Sequence, residues 1–478
     1  MISRRLSTIA KRSSEASFVC AVLSIAGCVA PQLPGVPPAE VPVNWSAPTA
    51  ANGSNVAEEW WREFGDERLN RLVRSVVESN TDLLIAADRL RQVQLEATNT
   101  STNMTPRVTV GGNIGWGTES LTLRRMRSRG GDVNASLNYD LDVGGKLAAE
   151  RDSANWLANA EEHGADWARL GIISACLKNY WMLGLLNERL TLSKDRLAYA
   201  KRTLAIVQAR YDAGSASRVD VGQARQTVLA EEVTIDQIAK ELLQNRNALA
   251  ILVGGPPETA IDIPDRLITR SLPPVAAGLP ADVIHRRADV RAAEWRVRQT
   301  LANIDVARAS LYPSLSLTSS VGTLSDDLAR FLTNPVANVG LAIALPFVDW
   351  NRTQLRIKVS QSDYNVAALQ FRKAIYNALQ EVEDRLTASA QFEREEAKLQ
   401  ERLEQSRLAE RLAKARFTAG ETDVQPWLQS QQSVQQIQEA LAQNHFDRLT
   451  TRAALLVALG GGDKGASPKV TGEAERKM

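Results

Sequence analysis

The chain has 478 residues, 44% hydrophobic and 23% charged, with a formal net charge of +2. That length can bury a sizeable core and more than one domain, and the near-neutral balance gives no footing for nucleic acid as a partner. Three cysteines exclude a disulfide framework, and no run reaches the roughly 18 consecutive apolar residues of a membrane-crossing helix.

The chain opens on a basic stretch with Arg4, Arg5, Lys11 and Arg12, followed by a short apolar run from Phe18 to Gly27. A basic start, an apolar centre and small residues before a cut make a secretory signal, which predicts a signal peptide over 1–27. Ile25-Ala26-Gly27-Cys28 resembles the lipobox of bacterial lipoproteins, which implies cleavage after Gly27 and acylation of Cys28; the alternative is a plain signal with an incidental Cys. Val29 follows rather than Asp, which leans towards the outer membrane. Cys20 leaves with the signal. Cys176 then stands alone in a helical pattern, and a small buried residue is a commoner use for it than a catalytic thiol. Residues 28–59, rich in Pro, Ala and Gly, read as a lipid-anchored extended tether.

Trp60-Trp61-Arg62-Glu63-Phe64-Gly65-Asp66 starts the folded part. Adjacent tryptophans suit either a ligand platform or a helix start docked on a core, and the second reading is preferred. From Leu69 to about Thr98 the apolar spacing is helical, with Asn80-Thr81-Asp82 as a capping break between two helices. The period then changes to two. Val108, Val110, Gly112, Ile114 and Trp116 alternate with polar or small residues, and Val133, Ala135, Leu137, Tyr139 and Leu141 alternate with Asp and Asn. These are two strands with one apolar and one polar face. Strands of about ten residues suit a tilted transmembrane barrel with a wet lumen, or a half-buried sheet in a soluble domain. The interval 118–131, holding Arg124, Arg125, Arg127 and Arg129, reads as a polar loop that is either solvated or set against lipopolysaccharide phosphates.

From Leu147 to Arg210 there is no proline, which predicts about 90 Å of helix. Leu170, Ile173, Leu177 and Tyr180 follow coiled-coil spacing, and Gly164, Gly171 and Gly184 mark bends or close contacts. The run closes at Ala209-Arg210-Tyr211-Asp212-Ala213-Gly214, and a return helix spans Val219 to Leu252. Prolines 264, 273, 274 and 280 mark an extended connector over 263–280.

The second half repeats the first. Asp82 aligns with Asp289, Ala86 with Ala293, Pro106 with Pro313, Gly115 with Gly322 and Asp142 with Asp349, all at an offset of about 207. A helix is predicted from Ala281 to about Ala309, strands after Pro313 and over Val339–Phe347, and a long helix from Leu355 to Phe417 with Ile375, Leu379, Val382 and Leu386 as its stripe. Ala415-Arg416-Phe417-Thr418-Ala419-Gly420 closes that helix as the first string closed its own. Gly214 and Gly420 are expected left-handed caps, so each string is the tip of a helical hairpin. The return helix from Val424 to Leu459 is expected to be interrupted by Pro426. The repeats are assigned to 60–262 and 281–462, followed by a polar tail over 463–478 that is expected to be disordered.

Four strands cannot close a membrane barrel, and lipid does not tolerate open edges. If the strands span a membrane, the chain must oligomerise. No enzyme chemistry stands out. His163, His285 and His445 are isolated, no metal-ligand spacing or phosphate loop is present, and Asp140 and Asp142 read as residues wetting a lumen or rim. The chain is expected to need no cofactor or metal. A surface coiled-coil lipoprotein is a rival reading that leaves the strands unexplained.

Taken in order and duplicated, several stretches resemble the TolC-like outer-membrane efflux factors, in the NodT-like branch of lipoprotein subunits serving resistance-nodulation-division pumps. They are Ile25 to Cys28, Trp60 to Asp66, Asp82 to Leu90, Tyr139 to Lys146, Arg286-Arg287-Ala288-Asp289-Val290, Leu345 to Asp349, Ala378-Leu379-Gln380-Glu381-Val382-Glu383 and both tips. The resemblance implies a mixed α and β membrane protein. Its homotrimer would form a twelve-stranded outer-membrane β-barrel continued by a periplasmic α-barrel. It implies a periplasmic adaptor docking on the tips at Arg210, Tyr211, Gly214, Asp220, Arg416, Phe417 and Gly420, an inner-membrane pump, and contact with outer-membrane lipid. The function implied is passive exit of drugs or toxic solutes, with secretion or metal export by the same architecture as the alternative. Relatives commonly carry an acidic residue nine positions past the second tip glycine and an apolar residue five past it. Here Gln429 and Gln425 stand there, beside Asp423, as the implied lining of a periplasmic aperture.

Overall fold

A computed structural model describes residues 39–47, 56–121, 124–268, 275–325 and 335–462; over 114–131, 324–325 and 347–348 it is the backbone that is described. The signal, Cys28, Pro273, Pro274 and the tail from 463 lie outside the described residues. Trp60–Phe64 forms a 3-10 turn closed by Gly65 at φ 67°. The Asp66 carboxylate then accepts the amides of Arg68 and Leu69 and caps α1 (Glu67–Ser79). Asn80 caps α2 (Thr81–Thr102) through the Leu83 amide. β1 (Arg107–Leu121) and β2 (Arg124–Leu141) pair antiparallel, followed by α3 (Lys146–Asp212) and α4 (Arg218–Leu252). The second repeat supplies α5 (Pro280–Arg286), α6 (Ala288–Ala309), β3 (Ser314–Ser325), β4 (Pro335–Ala344), α7 (Trp350–Ala419) and α8 (Gln425–Ala458). At 1.5 Å per residue, α3 and α7 each run about 100 Å.

The four strands form one antiparallel sheet in the order β1-β2-β3-β4. The helices entering and leaving those strands pack in the matching order, α2 on α3, α3 on α6, and α6 on α7. The main core lies at mid-length of α3, where the 3-10 turn and α1 meet α3 and the end of α8. Trp60 and Trp61 are 3% and 2% exposed there, so they are core residues and not a ligand platform. Phe64 meets Trp181 edge-on with ring centroids 4.7 Å apart. Burying each such side chain contributes roughly 1.5–3 kcal/mol. The expected stripes are buried, with Ala378 in place of Leu379 as the fully enclosed member of the second.

The duplication extends to its breaks. Asn80 separates α1 from α2 with φ −65° and ψ 124°; its counterpart Arg287 separates α5 from α6 with φ −69° and ψ 124°. The predicted continuous helix over 281–309 is therefore two helices. Arg287 fixes the bend: its guanidinium is 2% exposed and donates to Asp289, Glu381 and the Ala458 carbonyl. It also lies 4.8 Å from the Trp167 ring centroid.

Three other expectations are corrected. Residues 118–121 and 124–131, expected within a loop, continue the hairpin, with pairing unbroken to Leu121 opposite Arg124; ladder hydrogen bonds do not require apolar alternation. Pro426 lies in the first turn of α8 instead of interrupting it, a place where its missing N–H costs nothing. Residues 39–47, expected within an extended tether, lie against the connector and the second repeat. The Trp45 indole donates to the Gly278 carbonyl at 2.9 Å, and the Ser46 and Ala47 amides donate to the Glu383 carboxylate. Of the three glycines in α3, Gly184 marks a close approach, since an added Cβ would sit 3.2 Å from the Arg266 backbone; Gly164 and Gly171 face open space.

Candidate functional site: strands and helical tips

Residues directly opposed in an antiparallel pair share a face, so the register sorts the whole sheet. On one face Val108 opposes Leu137, Val110 opposes Ala135, Tyr139 opposes Leu317, Leu141 opposes Leu315, and these meet Leu341 and Ile343. Val110 is 75% and Val339 78% exposed, so this apolar face has no cover among the described residues. The other face holds Thr109, Asn134, Ser136, Asn138, Asp140, Ser316 and Thr318. Thr109 and Ser136 hydroxyls are 2.6 Å apart, and Ser316 donates to Asp140 at 2.5 Å. Asp142 does not join them. It accepts the amides of Leu147 and Ala148 and caps α3, so Asp140 and Asp142 are not an acid pair. β1 and β4 each leave one edge unpaired among the described residues.

At the far end the two tips share one local geometry. In the first, Ser215 N–H reaches the Arg210 carbonyl at 2.8 Å and Gly214 N–H the Tyr211 carbonyl at 2.9 Å; in the second, Glu421 reaches Arg416 at 3.0 Å and Gly420 reaches Phe417 at 3.1 Å. This is the Schellman pattern, with Gly214 at φ 75° and Gly420 at φ 79°. The restart differs. Ser217 and Asp220 form a reciprocal capping box on α4, whereas α8 begins without a side-chain cap.

Arg210 and Phe417 face each other across the tips. Phe417 is buried with Val207, Ala224, Val424 and Trp427, while Tyr211 and Arg416 are exposed. Trp427 and Tyr199, which belong to neither tip string, complete the tip. Trp427 anchors the tip cluster, and the Tyr199 hydroxyl donates to Glu410 at 3.0 Å; burial and that carboxylate push the tyrosine pKa up. The signal was present in the spacing Tyr199, Thr203, Val207, Arg210, which makes one helix face. Asp423, Gln425 and Gln429 are exposed, and Gln432 and Gln436 continue the glutamine stripe on the side of α8 away from Trp427.

The described residues hold no group of His, Cys, Asp and Glu arranged for a metal, and no helix among them is long and apolar enough to cross a membrane. Burial pushes the Cys176 thiol up to about 12 and lowers the pKa of His445, which disfavours a thiolate nucleophile at the first and a charged imidazole at the second.

Comparison with known proteins covers both repeats. The model of a family described as outer membrane efflux protein matches residues 72–255 and 279–461. The pyoverdine export outer membrane protein OpmQ of Pseudomonas putida is 28% identical over 93% of this chain and 97% of its own length. Nodulation protein T of Rhizobium leguminosarum bv. viciae is 28% identical over 92% of this chain and 91% of its own. The solved outer-membrane channel OprN superposes with a TM-score of 0.80 at 25% identity, covering 91% of this chain and 99% of OprN.

Proposed function

The chain belongs to the outer membrane efflux protein family, and from that premise we propose that three copies close one duct whose wet lumen starts at the helical tips and ends outside the cell. It is the outer-membrane exit duct of a tripartite efflux system and extends into the periplasm; family channels are homotrimers that work with an adaptor and an inner-membrane pump. The observation that carries the reading is the sorted sheet: an uncovered apolar face, a hydroxyl-, amide- and carboxylate-bearing face, and two free edges. Lipid covers the first, water the second, and neighbouring protomers the edges, giving twelve strands. The same side-by-side order in α2, α3, α6 and α7 continues the wall below.

Transport is passive in this account. The lumenal face is a wetted wall, which suits varied solutes handed on by a pump of the resistance-nodulation-division type, and catalysis has no part in it. The tips at Arg210, Tyr211, Gly214, Asp220, Arg416, Phe417 and Gly420 are the adaptor's docking surface; their exposed Tyr211 and Arg416 and their distance from the sheet support this. Asp423, Gln425 and Gln429 line the aperture, which is then poor in charge.

Cys28 carries the lipid. Residues 39–47 support the assignment, because Glu40 donates its amide to the Tyr376 hydroxyl. Tyr376 stands about 40 Å along α7 from Trp350 at 1.5 Å per residue. The segment from Cys28 to Glu40 spans at most about 40 Å when extended, enough to reach the membrane level.

The test is single-channel conductance of the purified full chain in planar bilayers. Discrete conducting steps are expected from the parent, together with weaker adaptor crosslinking at the tips in Gly214→Val and Gly420→Val. A protein that never conducts would refute the duct.

A further inference from the structure

The β1–β2 hairpin continues beyond the apolar part of the sheet, and the continuation is basic. Read upwards from the helical end, one face of β2 carries Leu141, Tyr139, Leu137, Ala135, Val133, Gly131, Arg129, Arg127 and Arg125. The opposed positions of β1 on that face are Trp116 with Arg129, Thr118 with Arg127 and Ser120 with Arg125. None of the three is acidic. Glu119, the one carboxylate in this part of β1, pairs with Met126 and so falls on the other face, as does Arg124 opposite Leu121.

Height assigns this patch to a level in the membrane. A strand rises about 3.3 Å per residue, and tilted by about 40° it climbs about 2.5 Å per residue. An apolar band about 25 Å tall is then crossed in about ten residues, which counted from Leu141 ends near Gly131. Arg129, Arg127 and Arg125 begin where the hydrocarbon stops, and Trp116 lies at the same level, as interfacial aromatics do. Successive positions on one face are about 6.6 Å apart, so three guanidinium-bearing positions form a short vertical row continuous with the lipid-facing stripe. All three are Arg, the residue whose planar fork matches phosphate oxygens in pairs.

We propose that Arg125, Arg127 and Arg129, at register positions on the face of β2 that continues the apolar stripe, form a site for the phosphate groups of outer-leaflet lipid headgroups, one on each protomer of the trimer. The site rests on reading the apolar face as the lipid-facing face of a barrel. Lipid is the occupant because the row continues the lipid-facing stripe at headgroup height.

The test is binding of fluorescent lipid A by the detergent-purified full-length trimer, with bisphosphorylated and dephosphorylated lipid compared. The parent should prefer the phosphorylated form, and the preference should weaken with salt. The triple substitution Arg125→Gln, Arg127→Gln, Arg129→Gln should weaken binding on the order of a hundredfold, since each Arg at an anionic membrane surface contributes roughly a fivefold gain. Arg124→Gln, on the other face, should bind as the parent does. A trimer band on mild gels checks folding of each variant, and the comparison of the two lipids on the parent stands even if the triple variant fails to assemble. Equal binding of both lipids, or equal loss in Arg124→Gln, would overturn the site and leave the duct standing. Competition by millimolar inorganic phosphate as complete as by lipid would assign the row to a free anion and overturn the lipid assignment. Failure of the parent to form a trimer would count against the barrel itself.

Discussion

The guanidinium of Arg210 lies 4.2 Å from the ring centroid of Phe417 and donates to that residue's own carbonyl at 2.6 Å. A second nitrogen reaches the Thr418 carbonyl at 2.8 Å. One side chain in the last turn of α3 thus adds a second donor to the Phe417 carbonyl, which also takes the Gly420 amide, and supplies the Thr418 carbonyl at the end of α7, and it ties the two repeats together at their tips. Arg416, its counterpart in the repeat, is exposed and makes no matching contact among the described residues.

Arg210→Lys keeps the charge and loses the fork. A hydrogen bond to a charged group contributes about 1.5–3 kcal/mol, so local opening of the second tip should become easier by about tenfold or more. Hydrogen exchange of the amides from Gly420 to Val424 is the readout; rates equal to the parent's would show that the tie does not hold the tip.

Arg287→Met should be costly. The residue is 2% exposed and joins Asp289, Glu381 and the end of α8 at the bend between α5 and α6. Removing one partner of a buried ionic cluster costs about 3–5 kcal/mol. The denaturation midpoint in detergent should fall well below the parent's, and Arg287→Lys should not restore it, because an ammonium cannot span the same acceptors. A midpoint unchanged in Arg287→Met would remove the bend from the account of stability.

Glu231 on α4 should give the fold a pH dependence. It is buried, its Oε2 has no hydrogen-bond partner, and it faces Arg196 and Glu439, which pair with each other. Burial raises its pKa, Arg196 opposes the rise and Glu439 adds to it. The folded state therefore holds the proton more tightly than the unfolded state. Its contribution is fully present below the ordinary glutamate range and is lost as pH rises through the raised folded value. Glu231→Gln should flatten that decline; a parent whose stability rises over the same interval would contradict the sign.

Much of this was legible from residue order. Proline-free runs gave α3 and α7, the two-residue alternation gave the membrane part of the strands, and the offset of about 207 gave the duplication. What escaped depended on distant partners. The upper hairpin has no apolar alternation, so only its ladder reveals it as strand. The bend at Arg287 is invisible until Asp289, Glu381 and the Ala458 carbonyl converge on it. Residues 39–47 read as tether because their acceptor, Glu383, lies more than 300 positions away. Pro426 looked like a break because the start of α8 has no side-chain cap to mark it.

The central claim is that four strands per chain become a closed wall only in threes. Native mass spectrometry of the full chain released from mild detergent tests it directly. A three-chain species is the expected dominant assembly. A monomer or dimer as the largest species would leave open strand edges in lipid and contradict it.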